Sequence, residues 1–174
     1  KKMTSSSIYP DLVIAQQMAY DPYGLVCDSI IHEPESKEYS ACNFRLNNQT
    51  VLFRSAKITP TKIGQFVTLW KRRGNSPIMP YDQADPFDIV IISVRHDKKI
   101  GHFVFPKELL RQKGIISENG NGGKRAMRIY PPWDKPESEQ AKKTQLWQEL
   151  YFVEIAPVVN INRLKALILP KNNN

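Results

Sequence analysis

The chain has 174 residues, of which 41% are hydrophobic and 24% are charged. These values are ordinary for one folded domain and leave little length for a second. The net charge of +8 and the pI near 9.5 favour an anionic partner, and no apolar run approaches the roughly 20 residues that cross a bilayer. Charge alone does not choose among nucleic acid, phosphorylated ligands and an anionic membrane face. Taken with the rest of the chain, we predict DNA or RNA as the partner and no membrane, with the oligomeric state left open.

The ends of the chain and its cysteines suggest a location. Residues 1–9 carry no apolar signal-peptide core, and we expect them to be disordered or to derive from a tag. Cys27 and Cys42 have no metal-ligand spacing, and we interpret them as reduced thiols of a cytoplasmic protein. A disulfide between them stays open. Residues 10–169 are expected to form one α/β domain and residues 170–174 a frayed tail.

The first part of the chain predicts a helix and a hairpin. Proline and aspartate in a first turn, followed by apolar residues at helical spacing, predict a helix over Pro10–Tyr20. Leu25–Ile31 is ambiguous. Tyr39–Leu46 and Thr50–Ile58 are two extended runs joined by Asn47-Asn48. Because asparagine tolerates positive φ, this pair predicts a tight hairpin.

The stretch Lys57–Arg73 is the most informative segment, with five cationic side chains and no acidic one. The apolar segment between its basic ends predicts a mostly buried strand over Phe66–Arg72, with Trp70 in the core. The cations at the two ends would then be free to reach a polyanion. The alternative is a core strand flanked by solvated charges, and this stretch taken alone does not decide between them.

The second part predicts three further strands and three helices. Phe87–Val94 is β-branched almost throughout, which predicts a central strand, and Ile100–Phe105 forms the next one. Lys124–Tyr130 predicts a basic strand. Helices are predicted over Lys107–Lys113, Ser138–Val153 and Ile161–Leu169. The fold class is therefore α/β: a single domain with a mixed β-sheet flanked by helices.

Several strings of the sequence resemble the MepB family over about Glu33 to Phe152. The strings are Phe53–Val67, Trp70–Arg72, Gly101–Lys107, Gly123–Arg125, Arg128–Trp133 and Thr144–Gln148. This resemblance implies a restriction-endonuclease-like fold, a suspected role with nucleic acid and an association with a multidrug-efflux operon. The family has no established activity.

Nucleases of that fold place an acidic-x-Lys triplet on a strand, and their carboxylates hold a metal ion. Here the triplet is Ser55-Ala56-Lys57, with serine where the carboxylate would stand. Without carboxylates a magnesium ion has little to hold it. We therefore predict a degenerate site, no metal and no cofactor. The alternative is a magnesium-dependent phosphodiester hydrolase that uses Lys57 with Asp88 or Glu38.

The predicted interface with DNA or RNA is one electropositive face formed on folding. Cations spread along a surface contact phosphates, and aromatic rings stack on unpaired bases. The candidate residues are Lys57, Lys62, Lys71, Arg72, Arg73, Lys107, Lys124, Arg125, Arg128 and Trp133. Asn119–Arg125 could cradle a phosphate, although a surface loop is the simpler interpretation. A protein-interaction or small-molecule-binding module is the second alternative.

Overall fold

The computed structural model describes residues 9–169, so the predictions for residues 1–8 and 170–174 lie outside it. The described strands are β1 (Cys27–His32), β2 (Cys42–Leu46), β3 (Gln49–Ser55), β4 (Lys57–Ile58), β5 (Gln65–Thr68), β6 (Ile89–His96), β7 (Lys99–Pro106), β8 (Ala126–Ile129) and β9 (Phe152–Ala156). The described α-helices are α1 (Pro10–Ala15), α2 (Lys107–Gln112), α3 (Glu139–Glu149) and α4 (Ile161–Ile168). Gln16–Tyr20 continues α1 as a π-helical turn.

Six of the strands form a mixed sheet in the order β1-β2-β3-β6-β7-β9. β3 and β6 run parallel, and the other neighbours run antiparallel. The remaining strands form a small antiparallel sheet in the order β4-β5-β8. The chain passes from β3 into β4 through the single residue Ala56, so the small sheet begins where β3 leaves the large one.

Apolar side chains cover both faces of the six-stranded sheet. One face packs against α1 and α4, which contribute Leu12 and Leu164, both with no exposed surface. The other face packs against the small sheet and α2, through Val67, Ile129 and Leu110. Because β6 is buried on both sides, it is apolar at successive positions instead of alternating. The result is three layers: helices, large sheet, and small sheet with helices.

Most of the predicted elements are confirmed. The helix from Pro10, the hairpin around Asn47-Asn48, the central strand and its partner, the helix after Pro106 and the Asn160-capped last helix all form. The mixed sheet flanked by helices is confirmed as well. The ambiguous segment Leu25–Ile31 is largely strand β1, at the edge of the large sheet.

Three predictions differ from the structure in extent. The extended run Thr50–Ile58 is broken at Ala56, and its last two residues form β4 in the small sheet. The helix expected to reach Val153 ends at Glu149, because the chain turns there and pairs with β7 as strand β9. The mostly buried strand expected over Phe66–Arg72 is the shorter β5, Gln65–Thr68, and only every second residue of β5 is buried. The side chains of β5 that are not buried lie on the outer face of the small sheet. The sequence pattern did not show that β5 belongs to a sheet separate from the large one. No helix in residues 9–169 is long and apolar enough to cross a membrane.

Candidate nucleic-acid interface

The outer face of the small sheet carries partly exposed aromatic rings. From Gln65 to Trp70 burial alternates strictly: Val67 and Leu69 are buried in the core, while Phe66 and Trp70 are partly exposed. Successive side chains of a strand point to opposite faces, so the two rings share the face that turns away from the core. The prediction that Trp70 lies in the core is therefore wrong.

One row of residues crosses all three strands of this face. Lys57 pairs with Phe66, and Phe66 pairs with Arg128, so the three side chains lie side by side on the same face. The Lys57 ammonium lies 4.9 Å from the centre of the Tyr39 ring, and the Arg128 guanidinium lies 6.0 Å from that of Phe66. Tyr39 in turn meets Phe66 edge to face at 6.2 Å. Two cations thus flank the touching rings of Tyr39 and Phe66, one cation beside each ring.

A second cation–ring pair extends this face beyond the end of β5. The Arg72 guanidinium lies 5.6 Å from the Trp70 ring. Its Nε donates to both oxygens of the Glu35 carboxylate at 3.2 Å, so this arginine is partly neutralised. We call the surface formed by Tyr39, Lys57, Phe66, Trp70, Arg72 and Arg128 the cation–aromatic face.

A pocket of about 340 Å³ opens at the β8 edge of the small sheet, and we call it the β8 pocket. α3, β8 and the segment after α2 form its walls. Three of its lining residues are cationic, and none is acidic. These cations are Lys113, Lys124 and Arg128. Arg128 therefore belongs to both the cation–aromatic face and the β8 pocket.

Two glutamines of α3 hold this pocket together. Gln148 is fully buried, and its amide accepts from the Tyr130 N–H at 2.8 Å and donates to the Arg128 carbonyl at 3.0 Å. It thereby replaces the missing neighbouring strand at the edge of β8. Gln145 donates to the carbonyls of Pro131 and Asp134 at 3.0 and 2.8 Å. The string Thr144–Gln148 is thus partly structural, since it fixes α3 against the segment that carries Arg128.

Gly64 brings the basic loop after β4 against the wall of the pocket. Its φ of +86° is in the left-handed region, and a Cβ there would lie 2.8 Å from the Tyr130 ring. Only glycine combines this conformation with so close an approach. Arg128 reinforces the contact by donating from Nη1 to the carbonyls of Ile63 and Gly64 at 3.4 and 3.3 Å. Its Nε and Nη2 have no hydrogen-bond partner within residues 9–169, so this guanidinium, unlike the Lys107 ammonium, keeps donors for an anion.

Not all of the predicted cations lie on one free surface, so the prediction of a single face is wrong in part. The Lys71 ammonium lies 2.6 Å from the Asp85 carboxylate, with both side chains mostly buried. The Lys107 ammonium donates to the Gln83 carbonyl at 3.0 Å and also to the Asp85 carbonyl. Both lysines hold the loop before β6 in place and are not available to phosphates.

Arg54 is a third cation with a structural partner. Only 1% of its side chain is exposed, and its guanidinium lies 2.6 Å from the Glu33 carboxylate, which also accepts from the Tyr81 hydroxyl at 3.0 Å. Burial, followed by the charge of Glu33, raises the pKa of Tyr81 to about 12. The pair is enclosed between the loop before β6 and the start of β2.

The remaining predicted binding residues are spread around the face. Lys62, Arg73 and Arg125 are exposed, and no ion pair of theirs is recorded among residues 9–169. Trp133 is half-buried: its ring stacks on His96 at 6.0 Å and meets the Phe152 ring edge to face at 5.8 Å. Its contacts are with the large sheet, and not with the cation–aromatic face.

The glycine-rich loop Asn119–Arg125 already holds an internal anion. The Asp82 carboxylate accepts from the Ser117 hydroxyl at 2.6 Å and from the Gly120 N–H at 3.0 Å. These bonds, with one from the Ala84 N–H, lower the pKa of Asp82 to about 2. The loop amide that would have cradled a phosphate is therefore used to fix the loop.

The hydrolase alternative needs a carboxylate beside Lys57, and the structure does not bring Asp88 there. The Asp88 carboxylate accepts from the Thr50 N–H at 2.7 Å, at the beginning of β3. Lys57 lies past the other end of that strand, and Thr50 to Ser55 alone spans about 17 Å. Glu38 is exposed next to Tyr39, and no contact of its carboxylate with Lys57 is recorded in the described chain.

Ser55 does meet a carboxylate, but one that comes from α1. Asp11 accepts from the Ser93 hydroxyl at 2.7 Å and from Ser55 at 3.5 Å, while the Arg95 guanidinium lies 2.7 Å away. A lone carboxylate that already faces an arginine does not suit a magnesium ion, which needs several oxygen ligands. Within residues 9–169, no three His, Cys, Asp or Glu side chains lie close enough to hold a metal.

Sequence reasoning missed several residues of the interface. The sequence pattern marks Tyr39 and Phe66 only as strand residues. It does not group Lys113 with Tyr130 and Trp147. Thr68, a polar residue between Val67 and Leu69, was a signal that β5 has two unlike faces. Nothing in the sequence indicated that α2, β8 and α3 meet around one pocket.

Comparisons with known proteins identify the family of this chain. The family model described as MepB-like matches residues 33–154. A solved structure, the crystal structure of MepB, is 32% identical, with a TM-score of 0.73 over 86% of this chain and 99% of that one. A second solved structure, a bacterial homing endonuclease, is 12% identical with a TM-score of 0.40, over 80% of this chain and 86% of that one. We base no inference on so distant a likeness. Among curated proteins there is no match. This chain belongs to the MepB-like family.

Proposed function

We propose that this protein binds single-stranded nucleic acid through the cation–aromatic face and does not hydrolyse it. The observation that carries the proposal is the row Lys57–Phe66–Arg128, in which two cations flank an aromatic ring on one sheet face. Neighbouring strands lie about 4.8 Å apart, so the row is roughly 10 Å long. It can offer one base a ring and the phosphates on either side a cation.

The aromatic rings favour a single strand over a duplex. Bases stack on side chains only when they are unpaired, and every base has a face that can stack, so such binding tolerates many sequences. Phe66 and Trp70 lie on the same side of β5, four residues apart, each with a guanidinium nearby. Two successive stacking positions along the face follow from this arrangement.

Binding without hydrolysis is supported by the surroundings of Ser55. Its position in the nuclease triplet lacks a carboxylate, and the nearby Asp11 carboxylate faces the Arg95 guanidinium instead of a free space. The positive charge beside Asp11 is thus supplied by Arg95, at the place where a nuclease would bind a metal ion. A metal-assisted attack on a phosphodiester has no support at this place.

A cytoplasmic location is part of the proposal. Cys27 and Cys42 are free thiols, and burial raises the pKa of each to about 12, so both stay protonated. Free thiols are usual in reducing compartments. The association with a multidrug-efflux operon stays a prediction from the family resemblance.

Fluorescence anisotropy with a labelled 12-nucleotide strand tests the proposal. Single-stranded RNA and DNA, and duplexes of the same sequence, are titrated with the protein between 20 and 200 mM salt. We expect the single strands to bind more tightly than the duplexes, with an affinity that falls steeply as salt rises. Intact strands should be recovered after incubation with magnesium.

Two results would contradict the proposal. One is no binding of any strand at 20 mM salt, and the other is an affinity that does not change with salt. Cleavage that requires magnesium and is abolished by Lys57→Ala would instead establish the hydrolase alternative.

A further inference from the structure

The β8 pocket differs from the cation–aromatic face in being concave. Its volume of about 340 Å³ lies at the lower end of the range typical of small-molecule sites. It has room for one ligand of about nucleotide size, whereas a chain of several nucleotides would have to lie on the open face beside it.

The charge of the pocket calls for an anion. Lys113, Lys124 and Arg128 contribute three positive charges, and none of the lining residues is an aspartate or a glutamate. Lys113 is positioned by its ammonium, which lies 5.2 Å from the centre of the Trp147 ring. No ion pair is recorded for either lysine within residues 9–169. A phosphate would supply the countercharge that the protein leaves out.

The uncharged part of the lining suits the remainder of a nucleotide. Tyr130 and Trp147 provide rings, and Met127 provides a flexible apolar surface. The Thr144 hydroxyl donates to the Gln140 carbonyl at 3.0 Å and remains available as an acceptor, and Gln140 provides a side-chain amide. Both groups can hydrogen-bond to sugar hydroxyls or base edges. An inorganic anion would use the three cations only and leave the rest of the pocket without a role.

We infer that the β8 pocket binds one nucleotide bearing a phosphomonoester. The phosphate contacts Lys113, Lys124 and Arg128, and the base packs against Tyr130 or Trp147. Because Arg128 is shared with the cation–aromatic face, the inference deepens the proposed function. It rests on that function only where the ligand is the end of a bound strand. The nucleotide is either free or the phosphorylated end of a strand that lies on that face.

Isothermal titration calorimetry on the complete protein tests this inference. The probes are AMP, UMP, adenosine and inorganic phosphate, followed by eight-nucleotide single strands with a phosphate or a hydroxyl at the 5′ or the 3′ end. We expect each mononucleotide to bind at least tenfold more tightly than adenosine or inorganic phosphate. Tighter binding of a phosphorylated strand identifies the strand end as the source, and indifference to end chemistry identifies free nucleotide.

Matched variants separate the pocket from its surroundings. Lys124→Ala removes an exposed pocket cation and should weaken mononucleotide binding at least tenfold. Lys143→Ala removes an exposed lysine of α3 that does not line the pocket, and should change nothing. Thr144→Val keeps the shape of its side chain and should weaken nucleotides while leaving inorganic phosphate unaffected.

The outcomes distinguish this inference from the proposed function. Strand binding without any mononucleotide binding, together with indifference to terminal phosphates, would overturn the inference and leave the proposed function standing. Mononucleotide binding without strand binding would support the inference and overturn the proposed function. Equal losses in Lys124→Ala and Lys143→Ala would also overturn the inference, because the pocket would then contribute only general positive charge.

Discussion

Two groups of cationic side chains in this protein have the same charge and opposite roles. Arg54, Lys71 and Lys107, the tethering cations, are directed at carboxylates or carbonyls of the protein itself. Lys57, on the cation–aromatic face, and Lys124, in the β8 pocket, have no ion pair recorded in the described chain. Charge in the sequence does not separate the groups, since tethering Arg54 and face-forming Lys57 are only three residues apart. What separates them is what the fold places opposite each one.

The largest effect is expected from a tethering cation. Arg54→Met removes the charge that neutralises Glu33 and leaves that carboxylate largely enclosed, with 17% of its side chain exposed. Breaking a buried pair from one side typically costs about 3 kcal/mol of unfolding free energy. Urea unfolding should show a lower midpoint with an unchanged slope. A loss below about 0.5 kcal/mol would contradict the tethering role.

The second prediction concerns His102, whose contribution to the unfolding free energy depends on pH and on neither group of cations. His102 is fully buried, and this burial lowers its pKa to about 4, against which the charge of Asp11 acts only weakly. Between pH 6.5 and about 4 the unfolded chain binds a proton at this histidine and the folded chain does not. Stability is therefore lost as pH falls through this window, by about 1.4 kcal/mol per pH unit.

His102→Leu should remove this component. Urea midpoints at pH 7 and pH 4.5 are compared for the variant and the parent protein. The difference between the two pH values should shrink by about 2 kcal/mol in the variant. An unchanged difference would mean that His102 binds a proton as readily in the folded state as in the unfolded state, which would contradict its burial.

The third prediction concerns the ring between the two cations. Phe66→Leu keeps an apolar side chain on β5 but removes the surface on which a base stacks. Loss of one stacking contact is worth about 1–3 kcal/mol, so the affinity for a single strand should fall roughly tenfold. Because no charge is removed, the dependence on salt should stay the same. A change in the salt dependence without a loss of affinity would contradict the stacking role.

The smallest effects distinguish the two groups most directly. Lys57→Ala should reduce the slope of log affinity against log salt by about 0.7, as expected for one fewer phosphate contact to a single strand. Its unfolding free energy should barely change, because the side chain is exposed. Anisotropy titrations over a salt series provide the slope.

Lys71→Ala is the matched comparison and should behave in the opposite way. The slope should stay as in the parent protein, while the unfolding free energy falls by about 1 kcal/mol with the loss of the bond to Asp85. The loss is smaller than for Arg54→Met because Lys71 is 16% exposed against 1% for Arg54, and because Asp85 keeps its bond from the Asp82 N–H at 2.7 Å. Equal slopes for Lys57→Ala and Lys71→Ala would remove the distinction between the groups.

Local signals in the sequence were sufficient for most of the secondary structure. The asparagine pair fixes the hairpin between β2 and β3 because it accepts the positive φ seen at Asn47, 53°. The run of β-branched residues from Ile89 identifies the central strand, and Asn160 caps α4 by accepting from the Arg163 N–H at 3.2 Å. Each of these depends on neighbours along the chain, which a sequence displays directly.

The division of the strands into two sheets was not visible in the sequence. Phe66 and Val67 both read as apolar residues of one strand, yet one lies outside and the other in the core. Which face of β5 is covered depends on where Ala56 redirects the chain and on what packs beneath. The sequence likewise predicts the first residues of β9 as the end of a helix, because the partner strand β7 lies about 50 residues earlier in the chain.

The sequence by itself determined the fold class, the family and the excess of positive charge. Only the tertiary structure decided which cations are free, because a lysine carries the same charge whether or not a carboxylate lies opposite it. Lys71 meets Asp85 across a loop, and Lys57, Phe66 and Arg128 come from three separate strands. Such meetings depend on distances through space that residue order does not encode locally.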